Sequence, residues 1–440
     1  MIKISNKITS LWLLLLIIFI FSEAKAQYKL SVEELFEKGI EHSIVIQSTY
    51  LKVEIANDKN SLAKNKRLPD VAVTGQFGYV GTPTIFDKDL SFVKHTSAPD
   101  WRQNYQLSAV QPLYEGGRIN NNIKRSELEQ ELAQLSLTQD KANLKIWLVG
   151  KYLDLYNLYR QRAIYSINID EAKRRLQDIR KMREEGMITS NDVLRSEIEL
   201  TNFDLSYQET TNGITLVCQQ LAIALGMDED LLYEPDSAFL NLKMNMDEGI
   251  DNYIETAYHD YPEMRIAKTN IALAKNNLDI TKADFRPSLS LQFGNTFQRP
   301  LPNTSPVQDL FIDSWGVTLN LSYKISSLFD RKHSLSVAKT QISLQQLEEE
   351  QQKQNIRGIV KSAYLKHKEA LMRIKALETS VEQANENYRI VNKKYFNQLS
   401  ILTDLLDANA MQLDAELQLT AARTNAVYTY YQLLNVCGRL

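Results

Sequence analysis

HDYPEMRIAKTNIALAKNNLDITKADFRPSLSLQFG, residues 259–294, changes its period once. Up to Arg286 the apolar residues recur at heptad-like intervals. Beyond Pro287, Leu289, Leu291 and Phe293 alternate with Ser288, Ser290 and Gln292. Spacings of three and four predict a helix and a spacing of two predicts a strand, with the proline as the stop between them. The same change occurs about 215 residues earlier, in HSIVIQSTYLKVEIANDKNSLAKNKRLPDVAVTGQFGY, residues 42–79. There Pro69 precedes Val71, Val73, Phe77 and Tyr79, which alternate with Ala72, Thr74, Gln76 and Gly78. One pattern is written twice, so the fold is read as an internal two-fold repeat.

Outward from these stretches each copy supplies a second strand. Tyr105, Leu107 and Ala109 alternate with Gln106 and Ser108, and Trp315, Val317, Leu319, Leu321 and Tyr323 alternate with Gly316, Thr318, Asn320 and Ser322. One β-hairpin per copy is expected, at about 70–114 and about 288–326, each closed by a long polar loop. The two loops carry five of the ten prolines. No proline lies between Pro112 and Pro235 or after Pro306, which permits long helices. Such helices are predicted over about 118–185 and 331–396, each ~100 Å long at ~1.5 Å per residue. Shorter ones follow over about 189–226 and 401–438, and a helix of about 35 residues precedes each hairpin. The boundaries read as 27–226 for the first repeat, 227–247 for a linker and 248–440 for the second repeat.

Four strands with one apolar and one polar face cannot close a barrel, and open sheet edges are not tolerated in lipid. Copies must pool their strands: two give eight, and three give twelve, enough for a water-filled lumen. Aromatic residues near the strand ends, Tyr79, Trp101, Tyr105, Tyr114, Phe297, Phe311, Trp315 and Phe329, match an interfacial girdle. The expected fold is mainly α with membrane β: a bundle of long rods with two β-hairpins at one end, whose strands complete a transmembrane β-barrel only with those of other copies.

The N-terminus supplies the compartment. Lys3 and Lys7 precede an apolar run from Leu11 to Phe21 and the small-residue site Ala24-Lys25-Ala26. That is the layout of a secretory signal peptide, residues 1–26, with cleavage expected after Ala26 and, without a cysteine at the cut, no lipid anchor. Its removal takes the net charge from −3 to −5, which gives no reason to expect nucleic acid as a partner. The two cysteines and five scattered histidines form no metal-binding or nucleophilic pattern, so neither a cofactor nor an enzymatic activity is expected.

In order and spacing, several pieces resemble the TolC-like outer-membrane efflux protein family. They are QPLYEGGR (111–118), the prolines Pro69 and Pro287, and the turns GMITSNDVL (186–194) and QLSILTDLL (398–406). The resemblance implies a homotrimer with a twelve-stranded outer-membrane barrel, continued into the periplasm by a helical barrel. It further implies an exit duct for efflux or type I secretion, joined by a periplasmic adaptor to an inner-membrane transporter of the RND, ABC or MFS type. Outer-membrane lipid would surround the barrel. Acidic residues after the second turn ring the aperture in this family, and the matching positions are Asp404 and Asp407, with Asp192 as the first-copy counterpart and Tyr395 as a tip contact. Asp404 and Asp407 share a helix face, but Asp404 also suits the helix N-terminus, and Thr189-x-x-Asp192 is equally a capping-box spacing. Gly186 and Thr189 mark the first tip turn, and Gly116, Gly117 and Arg118 the turn from strand to rod. The second copy departs from the first, with Asn397-Gln398 at the place of Gly186 and LFDRK for YEGGR. A trimeric coiled-coil surface adhesin is the alternative, but it needs only one C-terminal anchor, not a hairpin in each half.

Overall fold

A computed structural model describes residues 28–95, 98–241, 244, 249–302, 304 and 307–440. The expected signal peptide lies outside the described residues. In chain order the elements are β1 (Tyr28–Leu30), α1 (Val32–His42), α2 (Ile44–Asn65), β2 (Asp70–Tyr79), β3 (Thr84–Phe86), β4 (Phe92–His95), β5 (Trp101–Glu115), α3 (Arg118–Glu184) and α4 (Ser190–Leu225). Then come β6 (Tyr233–Pro235), a 3-10 turn (Ser237–Asn241), α5 (Ile250–Asp260), α6 (Pro262–Ala283), β7 (Ser288–Arg299), β8 (Ile312–Ser322), α7 (Ser327–Phe396) and α8 (Leu402–Val436). The long rods fall where the proline-free stretches predict them. The chain divides into two compact units that cut across the sequence halves. Of the described residues, those within 28–50, 136–265 and 352–440 form one, and those within 51–135 and 266–351 form the other.

The second unit holds one four-stranded antiparallel sheet in the order β2-β5-β7-β8. Its register aligns the alternation of all four strands. Val73 stands opposite Leu107, Ala109 opposite Phe293, and Phe293 opposite Val317, so the apolar residues share one face. Thr74, Gln106, Thr296 and Ser314 share the other. A shift of one residue in any pair would mix the faces. Pro112, which cannot donate to a ladder, sits where the β5–β7 register slips, the place a strand interior tolerates proline. The apolar face is uncovered: Val73 is 79% exposed, Trp315 72% and Leu321 72%. Aromatic rings meet at the loop end, Phe77 stacking on Trp101 at 4.9 Å and Phe297 on Phe311 at 4.8 Å.

Two expectations need correction here. The first loop is not featureless, because β3 and β4 pair within it as a small hairpin of their own. The helix before each main hairpin is not continuous but is split, α1 from α2 at Ser43 and α5 from α6 at Tyr261. Both residues are extended, with φ/ψ of −63°/117° and −66°/126°. Tyr261 precedes Pro262, which disfavours a helical residue before it. Ser43 reaches the same geometry by capping, its hydroxyl accepting from Ile46 N–H at 3.4 Å.

At the junction of β5 and α3, Gly116 and Gly117 have φ of 64° and 93°. A Cβ on Gly116 would lie 2.8 Å from the Ala283 carbonyl oxygen. Arg286 donates to the Gly116 carbonyl at 2.9 Å, and Arg118 pairs with Asp284 at 2.8 Å. The turn is therefore locked by the residues that end α6.

The first unit carries the main core, where Leu30, Leu35, Leu148, Tyr152, Leu221 and Tyr233 are almost wholly buried. The stretch read as a linker takes part in it. β6 pairs with β1 in parallel, and Tyr152 donates to the Leu30 carbonyl at 2.8 Å. Met244, in the same stretch, faces the fully buried ring of His367 through its carbonyl at 3.4 Å. Burial pushes the His367 pKa down, so the ring stays neutral, and its other nitrogen lies 3.0 Å from the Thr429 hydroxyl. Cys218 and Cys437 are both buried, and neither is in a disulfide.

Candidate functional site

The first unit contains two helix-hairpin turns, from α3 to α4 and from α7 to α8, and they close with the same bonds. Gly186 N–H donates to Arg183 carbonyl at 2.9 Å and Met187 N–H to Met182 carbonyl at 2.8 Å. Gln398 N–H donates to Tyr395 carbonyl at 2.9 Å and Leu399 N–H to Lys394 carbonyl at 2.8 Å. Such a paired closure requires a left-handed residue. Gly186 supplies it at φ 77°, and Gln398 adopts it at φ 62° despite its Cβ. Replacing Gln398 by Gly is expected to stabilise the α7–α8 turn by ~1 kcal/mol, while Gly186→Ala costs a similar amount. Thermal melts of the two variants should therefore move in opposite directions.

The following helices start alike, at Thr189 and Ile401, both with φ −89° and ψ 160°. Three residues on stand Asp192 and Asp404. The Asp192 carboxylate accepts from Thr189 N–H at 2.9 Å and Thr189 hydroxyl at 2.7 Å, so it is occupied as a local cap. Ile401 has no hydroxyl, and Asp404 instead accepts from Ser400 at 3.0 Å while remaining exposed. Asp407, also exposed, lines a groove of about 590 Å³ between α4 and α8, together with Arg195, Ile198, Phe203, Thr403 and Leu413. Arg195 donates to Thr403 across it at 2.7 Å. The two second-turn carboxylates are thus accessible, whereas the first-turn carboxylate is spent on its own helix.

Tyr395 is 4% exposed and packs among Leu176, Ile179, Val193, Leu402 and Leu405. Its hydroxyl forms no hydrogen bond among the described residues, and burial raises its pKa. Within one chain it is a packing residue between the two helix pairs.

Further along the same helices lies a polar cluster that the sequence reading missed. Arg175 of α3, 5% exposed, donates to Glu199 of α4 at 2.8 Å and to the Tyr388 hydroxyl of α7 at 3.1 Å. Glu199 also accepts from Asn409 of α8 at 3.2 Å. Burial pushes the Glu199 carboxyl up, and the Arg175 guanidinium opposes that shift. One buried ion pair therefore ties all four helices together. A signal was available: Ile169, Ala172, Leu176 and Ile179 mark the inward stripe of α3, and Arg175 sits within it among runs of basic residues.

Long rods with hairpin tips, and a sheet whose bare apolar face suits lipid, define a channel-type outer-membrane fold. The chain belongs to the outer membrane efflux protein family, whose pattern it matches over residues 36–227 and 253–439. It is 20% identical over 379 residues to nodulation protein T of Rhizobium leguminosarum bv. trifolii, covering 84% of this chain and 78% of that one. The solved structure of CusC superposes with a TM-score of 0.80 at 16% identity, covering 94% of this chain and 93% of that one. The outer membrane protein VceC of Vibrio cholerae gives 0.76 at 13% identity, covering 92% and 96%.

Proposed function

We propose that the protein is the outer-membrane exit duct of a tripartite efflux or type I secretion assembly, passing cargo passively from periplasm to exterior. The observation that carries this reading is the sheet with one uncovered apolar face and two unpaired edges, β2 and β8. In lipid such edges must be paired. Three copies would pool four strands each into a twelve-stranded barrel whose polar face lines the lumen. The near-matching halves, 27–226 and 248–440, are read as a duplicated unit, preceded by a signal peptide cleaved after Ala26. The duct itself would catalyse nothing. A periplasmic adaptor would join it to an inner-membrane transporter of the RND, ABC or MFS type, which supplies the energy.

The aperture gate is assigned to Asp404 and Asp407, which three copies would multiply to six carboxylates around one axis. Their exposure supports that role. Asp192 and Tyr395 act in the same region as cap and packing residue. Such a ring binds cations and narrows the path electrostatically. The double variant Asp404→Ala/Asp407→Ala is expected to raise single-channel conductance in planar bilayers and to abolish block by divalent cations. Unchanged conductance with unchanged block would remove the gate assignment, and the lack of any channel would remove the duct.

A further inference from the structure

The first unit holds a second hollow, of about 650 Å³, remote along α3 from the tip turn. One wall is α3, with Tyr156, Tyr159, Arg160, Arg162 and Ser166, and Tyr207 of α4 stands beside it. The other wall is the β1–β6 pair and the turn that follows it, with Lys29, Glu234 and Asp236. The stretch expected to be a mere linker thus supplies half of a cavity, and its size suits a small ligand.

The two walls carry opposite charge. On α3, Arg162 lies over the Tyr159 ring at 4.8 Å and Arg160 over the Tyr156 ring at 5.5 Å, with its Nε donating to the Tyr156 hydroxyl at 3.0 Å. Rings and a phenol hold both guanidinium groups in place but, being neutral, leave their charge to act on the hollow. Across from them the Asp236 carboxylate is fixed by the Ala238 N–H at 3.1 Å, and Glu234 is half-buried beside Lys29, its neighbour in the β1–β6 register. Between the walls is the Tyr159 hydroxyl, inaccessible to solvent and without a hydrogen bond among the described residues. Burial pushes its pKa up to about 12, with Arg162 lowering it and Glu234 raising it. It therefore stays a protonated donor, within electrostatic reach of both signs.

We propose that this hollow binds a small zwitterion of the peptide class, its carboxylate turned to Arg160, Arg162 and the Tyr159 hydroxyl and its ammonium to Glu234 and Asp236. A bare anion would meet the two carboxylates, and a bare cation the two arginines, so each is disfavoured by one wall. A ligand carrying both charges satisfies each wall at once. The inference concerns the first unit by itself and does not depend on the duct reading. Because the lining comes from α3, α4 and the β1–β6 segment, an occupant would also tie these elements together and raise the melting temperature.

Calorimetric titration of the full-length protein in detergent tests it, with triglycine, N-acetyl-triglycine, triglycine amide and inorganic phosphate as probes. Triglycine should bind most tightly, and blocking either of its charged ends should weaken binding about tenfold or more, the worth of one charge-assisted contact. Arg162→Gln should weaken triglycine but not triglycine amide, whereas Glu234→Gln should weaken triglycine but not N-acetyl-triglycine. General damage to the fold cannot produce that crossed pattern. Ser166→Trp, at an exposed position lining the hollow, should block every probe while melting with the parent when no ligand is present. Phosphate or a blocked peptide binding as tightly as triglycine overturns the zwitterion assignment. No measurable binding of any probe, or binding that survives Ser166→Trp, overturns the site.

Discussion

Replacing Arg175 by Met is expected to destabilise the four-helix packing by ~3–5 kcal/mol, because it leaves the Glu199 carboxylate buried without its cation. The ion pair is weak evidence for net stability, but half of it is worse than none. The double variant Arg175→Met/Glu199→Leu should therefore recover part of the loss, short of all of it because Tyr388 and Asn409 then lose their partners. Melting followed by the helical circular dichroism signal separates the cases, and equal melting temperatures for the single and double variants would refute the account.

The loss should also depend on pH. Burial already raises the Glu199 pKa, and without Arg175 only the Asn409 hydrogen bond opposes that rise. A carboxyl with a raised folded pKa contributes stability below its unfolded pKa, and that contribution disappears as pH rises through the folded value. The Arg175→Met variant should accordingly be nearest to the parent in mild acid and furthest from it above neutrality.

Leu319→Arg should prevent stable insertion, whereas Thr318→Arg, one residue away, should be tolerated. Leu319 stands opposite Leu291 on the uncovered apolar face, and Thr318 stands opposite Gln292 on the polar face. A charged residue on the lipid side of a barrel costs ~2–4 kcal/mol near the bilayer midplane and little on the lumen side. Three copies would incur the cost three times. Heat-resistant oligomer in outer-membrane fractions is the measurement. Equal loss with both variants would mean that the two faces are not divided between lipid and water.

Much of this was legible before any coordinates, because periodicity reports which environment each face meets. The change of period at Pro69 and Pro287 placed the main strands, and the proline-free runs placed α3 and α7 nearly to the residue. Less visible were features whose signal is not periodic. The break at Tyr261 was written in Pro262, but the matching break at Ser43 was not, since a serine caps helices in many settings without ending them. Gln398 gave no hint of its left-handed backbone, because the requirement comes from the two carbonyls that the turn must satisfy, not from the side chain. The β3–β4 hairpin sits in a stretch too short and too polar to show an alternation.

At the tip the sequence named the acidic positions but could not divide their work. Asp192 and Asp404 have the same place relative to a helix start. What separates them is the hydroxyl of Thr189, which occupies one carboxylate, and Ile401, which leaves the other to Ser400 and solvent.

The order of helices and strands and the two-faced character of the main strands were determined by the sequence alone, since each follows from the spacing of apolar residues along one chain. The alignment of four alternations into one largely apolar face and the Arg175–Glu199 tie were decided only by the tertiary structure. These depend on which residues, distant along the chain, come to share a dielectric environment and a hydrogen bond, and no local pattern encodes that.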